Sequence, residues 1–269
     1  MKKKIKVLQV IPRLGYGGAE MGCYDLAHFL PERNYKSFIV TSGGELLRFI
    51  DKKKVKVTTD GYFVFGLGRD RKNDIVITIN EKKIIKKVFK REYKIQRIDG
   101  LEEKKVTPPE EVYERIKREN KWIGEARAID SDLMFFTKKF IIPVENAIIS
   151  GVYGSQRILN GKPKWPHYGL DFAADEGTKI KAMLDGTVTL AEPDLFYTGG
   201  TLIFDHGHGI STLYMHMEKI LVKKGQKVKQ GDIIGTVGST GRATGAHLDV
   251  RLNWFQTRLD PATVLDVKN

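Results

Sequence analysis

The feature that most constrains this chain is its run of short apolar segments cut by glycine over residues 144–269. Thr187-Val-Thr-Leu, Thr201-Leu-Ile-Phe, Ser211-Thr-Leu-Tyr and Asp232-Ile-Ile-Gly-Thr-Val are each strand-length. Glycines at 186, 199, 200, 207, 209, 225, 231, 235, 238, 241 and 245 separate them at hairpin spacing. Segments this short, turned this often, cannot make long helices or a parallel α/β sheet. They predict a mainly β fold, an antiparallel β-sandwich or open barrel.

Two zones of different texture precede it. Over residues 1–56 a short apolar strand at 5–11, a turn with Gly15, Gly17 and Gly18, a helical pattern at 19–30 and a strand at 37–41 spell one β–α–β fragment. Lys6-Val-Leu-Gln-Val-Ile-Pro, Gly17-Gly18-Ala19-Glu20 and Val40-Thr41-Ser42-Gly43-Gly44 resemble the start of a two-Rossmann-domain glycosyltransferase. One such unit cannot close a Rossmann domain, so the zone reads as an appendage. Residues 57–140 predict an accessory β module, with strands at 61–65 and 74–79. A helix then opens at Pro108-Pro109, with Glu110 and Glu111 in its first turn and Val112, Ile116 and Ile123 on one face. This zone holds no catalytic constellation, which leaves 141–269 as the chemical domain.

Charge narrows the partners. Lys+Arg 46 against Asp+Glu 33 gives +13, an attraction to polyanions in general. No basic run is interleaved with aromatics as a stacking surface for nucleic acid requires, so the Lys-rich stretch 82–105 reads as a solvated face. No segment approaches the roughly 18 apolar residues of a membrane helix. Met1-Lys-Lys-Lys looks like the start of a secretory signal, but Gln9, Pro12 and Arg13 break the apolar stretch behind it, so no export signal is visible. The single cysteine, Cys23, excludes an internal disulfide.

Five of the six histidines fall between 167 and 247. His167-x-x-x-Asp171 pairs an imidazole with a carboxylate, and His247-Leu-Asp249 does so again. On a strand, residues i and i+2 share a face, so His247 and Asp249 can address one ion. His216 ends a predicted strand between the two pairs. Three protein ligands with an open position for water describe a catalytic zinc site. His206 and His208 read as loop residues, and His28 and Cys23 as structural. Trp165 and Tyr197 are candidates for a substrate groove, while Trp254 reads as a packing residue.

The flanking text is more specific. His167-Tyr-Gly-Leu-Asp171-Phe, Gly177-Thr-Lys-Ile-Lys-Ala, Asp185-Gly-Thr-Val, Leu213-Tyr-Met-His216, Gly225-Gln-Lys-Val-Lys-Gln-Gly-Asp-Ile-Ile-Gly and Gly238-Ser-Thr-Gly-Arg-Ala-Thr-Gly-Ala-His247-Leu resemble, in order, the lysostaphin/LytM-type peptidoglycan endopeptidases over residues 144–265. The resemblance implies one zinc ion, with His167 and Asp171 as its first two ligands, and His216 and His247 as catalytic histidines. It implies a peptide of peptidoglycan as substrate and the cell envelope as the place of action. The third ligand of the family is the second histidine of His-x-His, and here that position is Asp249. Aspartate is an acceptable zinc ligand, although a second carboxylate favours a harder ion such as manganese.

Two rivals follow. A catalytically degenerate member of the same fold would bind and activate a cell-wall amidase, but such relatives lose several positions rather than one. The 185–188 and 225–235 text also resembles lipoyl and biotinyl carriers, yet the modifiable Met-Lys hairpin is missing.

Overall fold

A computed structural model describes residues 6–10, 36–40, 55–58, 60–79 and 82–267. The chain divides into two compact units, Met1–Val57 and Thr58–Asn269. In the first, β1 (Lys6–Val10) lies parallel to β2 (Lys36–Val40), in register from Lys6↔Lys36 to Val10↔Val40. The expected 19–30 helix, the glycine turn, Cys23 and His28 lie outside the described residues.

The second unit opens on an antiparallel hairpin of β3 (Ile75–Ile79) and β4 (Lys82–Lys86). The strand expected at 61–65 does not form. Gly66 lies so close to Leu259 and Trp254 that a Cβ there would meet them at 2.4 and 2.8 Å. Phe63 and Phe65 stack on each other at 6.3 Å, so side-chain packing, not ladder hydrogen bonds, fixes this segment. β5 (Ile95–Ile98) follows, then the short helix α1 (Glu103–Val106) and the helix α2 (Tyr113–Arg127). As the proline pair predicts, a 3-10 turn at Glu110–Val112 leads into α2.

Twelve strands follow. β6 is Ile148–Gly151, β7 Gln156–Leu159, β8 Lys162–Pro163 and β9 Leu170–Ala173. β10 is Lys179–Lys181, β11 Gly186–Leu195, β12 Gly199–Gly207 and β13 Ile210–Ile220. β14 is Lys227–Val228, β15 Ile233–Val237, β16 His247–Trp254 and β17 Thr257–Leu259. The main sheet runs β14-β11-β12-β13-β16-β9-β6 and does not close; β15 joins β10 to β13, and β17 borders β16. Its pairings are antiparallel, so the domain is a mainly β, open-sheet structure.

Period-two alternation divides the buried residues between two faces. Leu190, Ile203, Leu213 and Met215 face one side, where Trp122, Ile123 and Ala126 of α2 cover them. Phe204 and Tyr214 face the other, their rings 5.5 Å apart, and the Tyr214 hydroxyl accepts from the Met183 N–H at 2.9 Å. Covered on both sides, β12 is buried along its whole length.

The segment before residue 141 is tied to this sheet. β5 runs parallel to β7, from Ile95↔Gln156 to Ile98↔Leu159. Arg69 donates to the Gly154 carbonyl at 2.8 Å, and Arg91 pairs with Asp260. Both guanidiniums lie over the Tyr93 ring.

Candidate metal centre and catalytic residues

β9 and β16 pair so that Asp171 stands directly opposite Asp249. On one pleated face, cross-strand neighbours bring their side chains together. His167, in the irregular stretch just before β9, completes a group whose ligand-type atoms all lie within 4.8 Å of one another. All three residues are buried. Nε2 of His167 is 3.0 Å from Oδ1 of Asp171 and 3.3 Å from Oδ2 of Asp249.

The chemistry of this donor set fits a cation. The His167 Nδ1–H donates to the Val152 carbonyl at 3.2 Å, so in the neutral ring the Nε2 lone pair faces the two carboxylates. Asp171 Oδ1, despite its ion-pair distance from that nitrogen, is buried without a hydrogen bond of acceptable geometry. A buried carboxylate oxygen left unsatisfied is costly unless a cation meets it. Two glycines make the space. A Cβ at Gly169 would come within 1.9 Å of Asp249 Oδ1, and one at Gly151 within 2.1 Å of Asp171 Oδ2.

Two arginines balance the carboxylates. Arg157 of β7 donates to Asp171 Oδ2 at 2.9 Å, and Arg251 donates to Asp249 at 3.0 and 3.4 Å. Burial alone would raise the Asp249 pKa; the Arg251 guanidinium and His167 hold it well below the ordinary value. At Asp171, burial and Asp249 push upward, and His167 with Arg157 outweigh them. Burial pulls His167 down, but the Asp249 and Asp171 carboxylates raise it overall. Neither arginine was singled out by sequence. Arg251 is two residues beyond Asp249 on the same strand face, so the rule that pairs His247 with Asp249 also places Arg251 there.

The rings of His216 and His247 stand 4.7 Å apart at 47°. Each donates through Nδ1–H to a backbone carbonyl, Thr240 at 2.7 Å and Gly245 at 2.8 Å. That orientation leaves each Nε2 as the acceptor of the neutral ring. His216 sits next to the residue paired with Asp249, because Met215 is opposite Asp249 across β13 and β16. Its φ is +64°, a left-handed conformation where the register of β13 on β12 shifts between Tyr214 and Met217. Its N–H donates to Thr198 at 2.8 Å, which helps hold the turn. Burial, then His247, lowers its pKa to about 4, so it is neutral at pH 7.

The remaining candidates fall elsewhere. His206 is in β12 rather than a loop, its ring held by the Asp185 carbonyl and the Thr212 hydroxyl, both at 2.7 Å. His208 occupies the hairpin turn with φ +52°. Trp254 is buried and Trp165 is 83% exposed. The Tyr197 ring stacks under the Arg242 guanidinium at 4.5 Å.

The model of peptidase family M23 matches residues 165–261, the stretch that carries all five candidate residues. This segment belongs to peptidase family M23. The M23 domain is 46% identical over 87 residues to the peptidoglycan DD-endopeptidase ShyA of Vibrio cholerae, covering 32% of this chain and 20% of that protein. It is 40% identical over 89 residues to the DD-carboxypeptidase/endopeptidase Mpg of Neisseria meningitidis, again covering 32% and 20%. A solved M23 peptidase of Pseudomonas aeruginosa aligns with 37% identity over 57% of this chain and 61% of its own, at TM-score 0.49. The chain spans about a fifth of the length of these two curated relatives.

Proposed function

We propose that this chain is a zinc-dependent metalloendopeptidase that cleaves peptide cross-links of bacterial peptidoglycan, and so acts in the cell envelope. The observation that carries the reading is the buried His167–Asp171–Asp249 group, with an unsatisfied carboxylate oxygen, beside the paired His216 and His247. His167, Asp171 and Asp249 would hold one zinc ion. When bound there, zinc supplies Lewis-acid activation of a water nucleophile and of the scissile carbonyl near neutral pH.

The chain's own residues divide the remaining work. His216 is neutral, and its Nε2 can take a proton from the attacking water. His247, on the same strand face as Asp249, brings a second Nε2 to the site, and once that nitrogen carries a proton it can donate to the oxygen that becomes negative as the carbonyl turns tetrahedral. Arg157 and Arg251 fix the two carboxylates and offset their mutual repulsion. Arg251 offsets the negative charge that Asp249 adds at this position.

Metal content and turnover on purified peptidoglycan separate these roles. Asp249→Ala should lose zinc and activity together. His216→Ala and His247→Ala should keep about one zinc per chain and lose roughly a hundredfold or more in turnover. Loss of zinc from His247→Ala would make His247 a ligand instead.

One contact favours a second reading. Arg251 engages both oxygens of Asp249 and so competes with an ion for them. If that pair excludes metal, the chain is a degenerate member that binds and activates an amidase, and the purified protein carries no zinc.

A further inference from the structure

A cavity of about 260 Å³ opens beside the metal-centre residues. Asp171 and His247 form part of its wall, with Gln96 and Ile98 of β5, Arg157 of β7 and Arg242 from the 242–246 loop. A sphere of that volume is about 8 Å across, the span of roughly two extended residues. Whatever fills it therefore lies within about two residues of a group held at the centre.

The two cavity arginines differ in what they have left to give. Arg157 is committed, donating to Asp171 and to Gln96 Oε1 at 3.3 Å. Arg242 donates once, to the Lys105 carbonyl at 3.3 Å, and its flat face rests on Tyr197. A guanidinium has five N–H donors, so most remain free. Among the described residues no carboxylate forms an ion pair with Arg242. Burial, aided by the charges of Arg157 and Arg251 and partly opposed by Tyr197, makes its protonated form harder to hold. A half-buried cation crowded by two others and lacking an anion is an incomplete arrangement.

We propose that this cavity is a subsite for a carboxylate of the substrate peptide, and that Arg242 selects peptides bearing that carboxylate over amidated ones. The proposal rests on the peptidase reading for its substrate class. The anion comes from one of two places in a stem peptide, the terminal carboxylate or an internal free carboxylate. A planar guanidinium meets either with two parallel N–H donors. A carboxamide, which brings its own N–H donors, would face the N–H groups of Arg242 and leave its charge unpaired. This carboxylate subsite would be built jointly by β5, from the segment before residue 141, and by the M23 domain.

The test uses the full chain loaded with zinc and a cross-linked stem-peptide dimer in three forms: all carboxylates free, the terminal carboxylate amidated, or the internal carboxylates amidated. Kd by calorimetry and kcat/KM are measured for wild type, Arg242→Gln and Arg242→Lys. Wild type should favour the free form over one amidated form by roughly tenfold to a hundredfold. The form that suffers identifies the carboxylate. Arg242→Gln should bring that ratio close to one, while Arg242→Lys retains part of it. Equal Kd for all three peptides in wild type overturns the proposal, and this holds even if a variant fails to fold. An unchanged preference in folded Arg242→Gln also overturns it. Peptides that bind with the expected preference but are never cut would refute the peptidase reading and leave the subsite standing.

Discussion

At the scale of single residues, the candidate centre was legible because its geometry is local. His167 and Asp171 flank one turn, His247 and Asp249 share a strand face, and an antiparallel register places the pairs opposite each other. What sequence did not reveal were Arg157 and Arg251, whose meaning lies in the charge they face across strands. Another buried histidine gives a residue-scale prediction. His206 donates through Nδ1 to the Asp185 carbonyl and meets the Thr212 hydroxyl at Nε2, in a site closed to water. Burial lowers its pKa from 6.5 to about 4. Below pH 6.5 the unfolded chain takes up a proton that the folded chain refuses. Its contribution is therefore fully present above pH 6.5 and is lost as pH falls from 6.5 towards 4, by about 3 kcal/mol in all. Urea midpoints between pH 7 and 4.5 should fall more steeply for wild type than for His206→Gln. Parallel slopes would contradict the buried neutral assignment.

At the scale of elements, strands in the C-terminal part stand where alternation and glycine placed them, and α2 begins just after its proline pair. Two elements escaped that logic. Residues 61–65 have strand composition but join no ladder; Phe63 and Phe65 stack on each other instead, and the following Gly66 lies against Leu259 and Trp254. The pairing of β5 with β7 joins segments some 60 residues apart, and nothing in a local pattern encodes such a partner. The docking of α2 also depends on one polar residue that an apolar stripe does not predict. Buried Glu119 accepts from the Phe196 N–H at 2.7 Å and from Arg115 Nε at 2.6 Å. Glu119→Ala would strand that N–H at the β11–β12 turn. A loss of about 1–3 kcal/mol is expected, read as a lower urea midpoint with metal content unchanged. A midpoint equal to wild type would mean that α2 is held by Trp122, Ile123 and Ala126 alone.

At the scale of the molecule, the M23 domain does not stand apart from what precedes it. β5, Arg69 and Arg91 bind residues 58–140 to the sheet, and β5 supplies one wall of the cavity beside the metal centre. The first 57 residues form their own compact unit. A chain of residues 58–269 should therefore fold with a cooperative melt and retain the zinc content and turnover of the full chain. A fragment that aggregates or melts without cooperativity would make residues 1–57 part of the folded core. The central claim is that one ion at His167, Asp171 and Asp249 drives peptide hydrolysis. It is tested most directly by the release of new amino termini from purified peptidoglycan as zinc is titrated into the metal-stripped chain. The account predicts no release without metal and a rise that saturates near one zinc per chain. Full release by the metal-free protein, or none with one zinc bound, would contradict it.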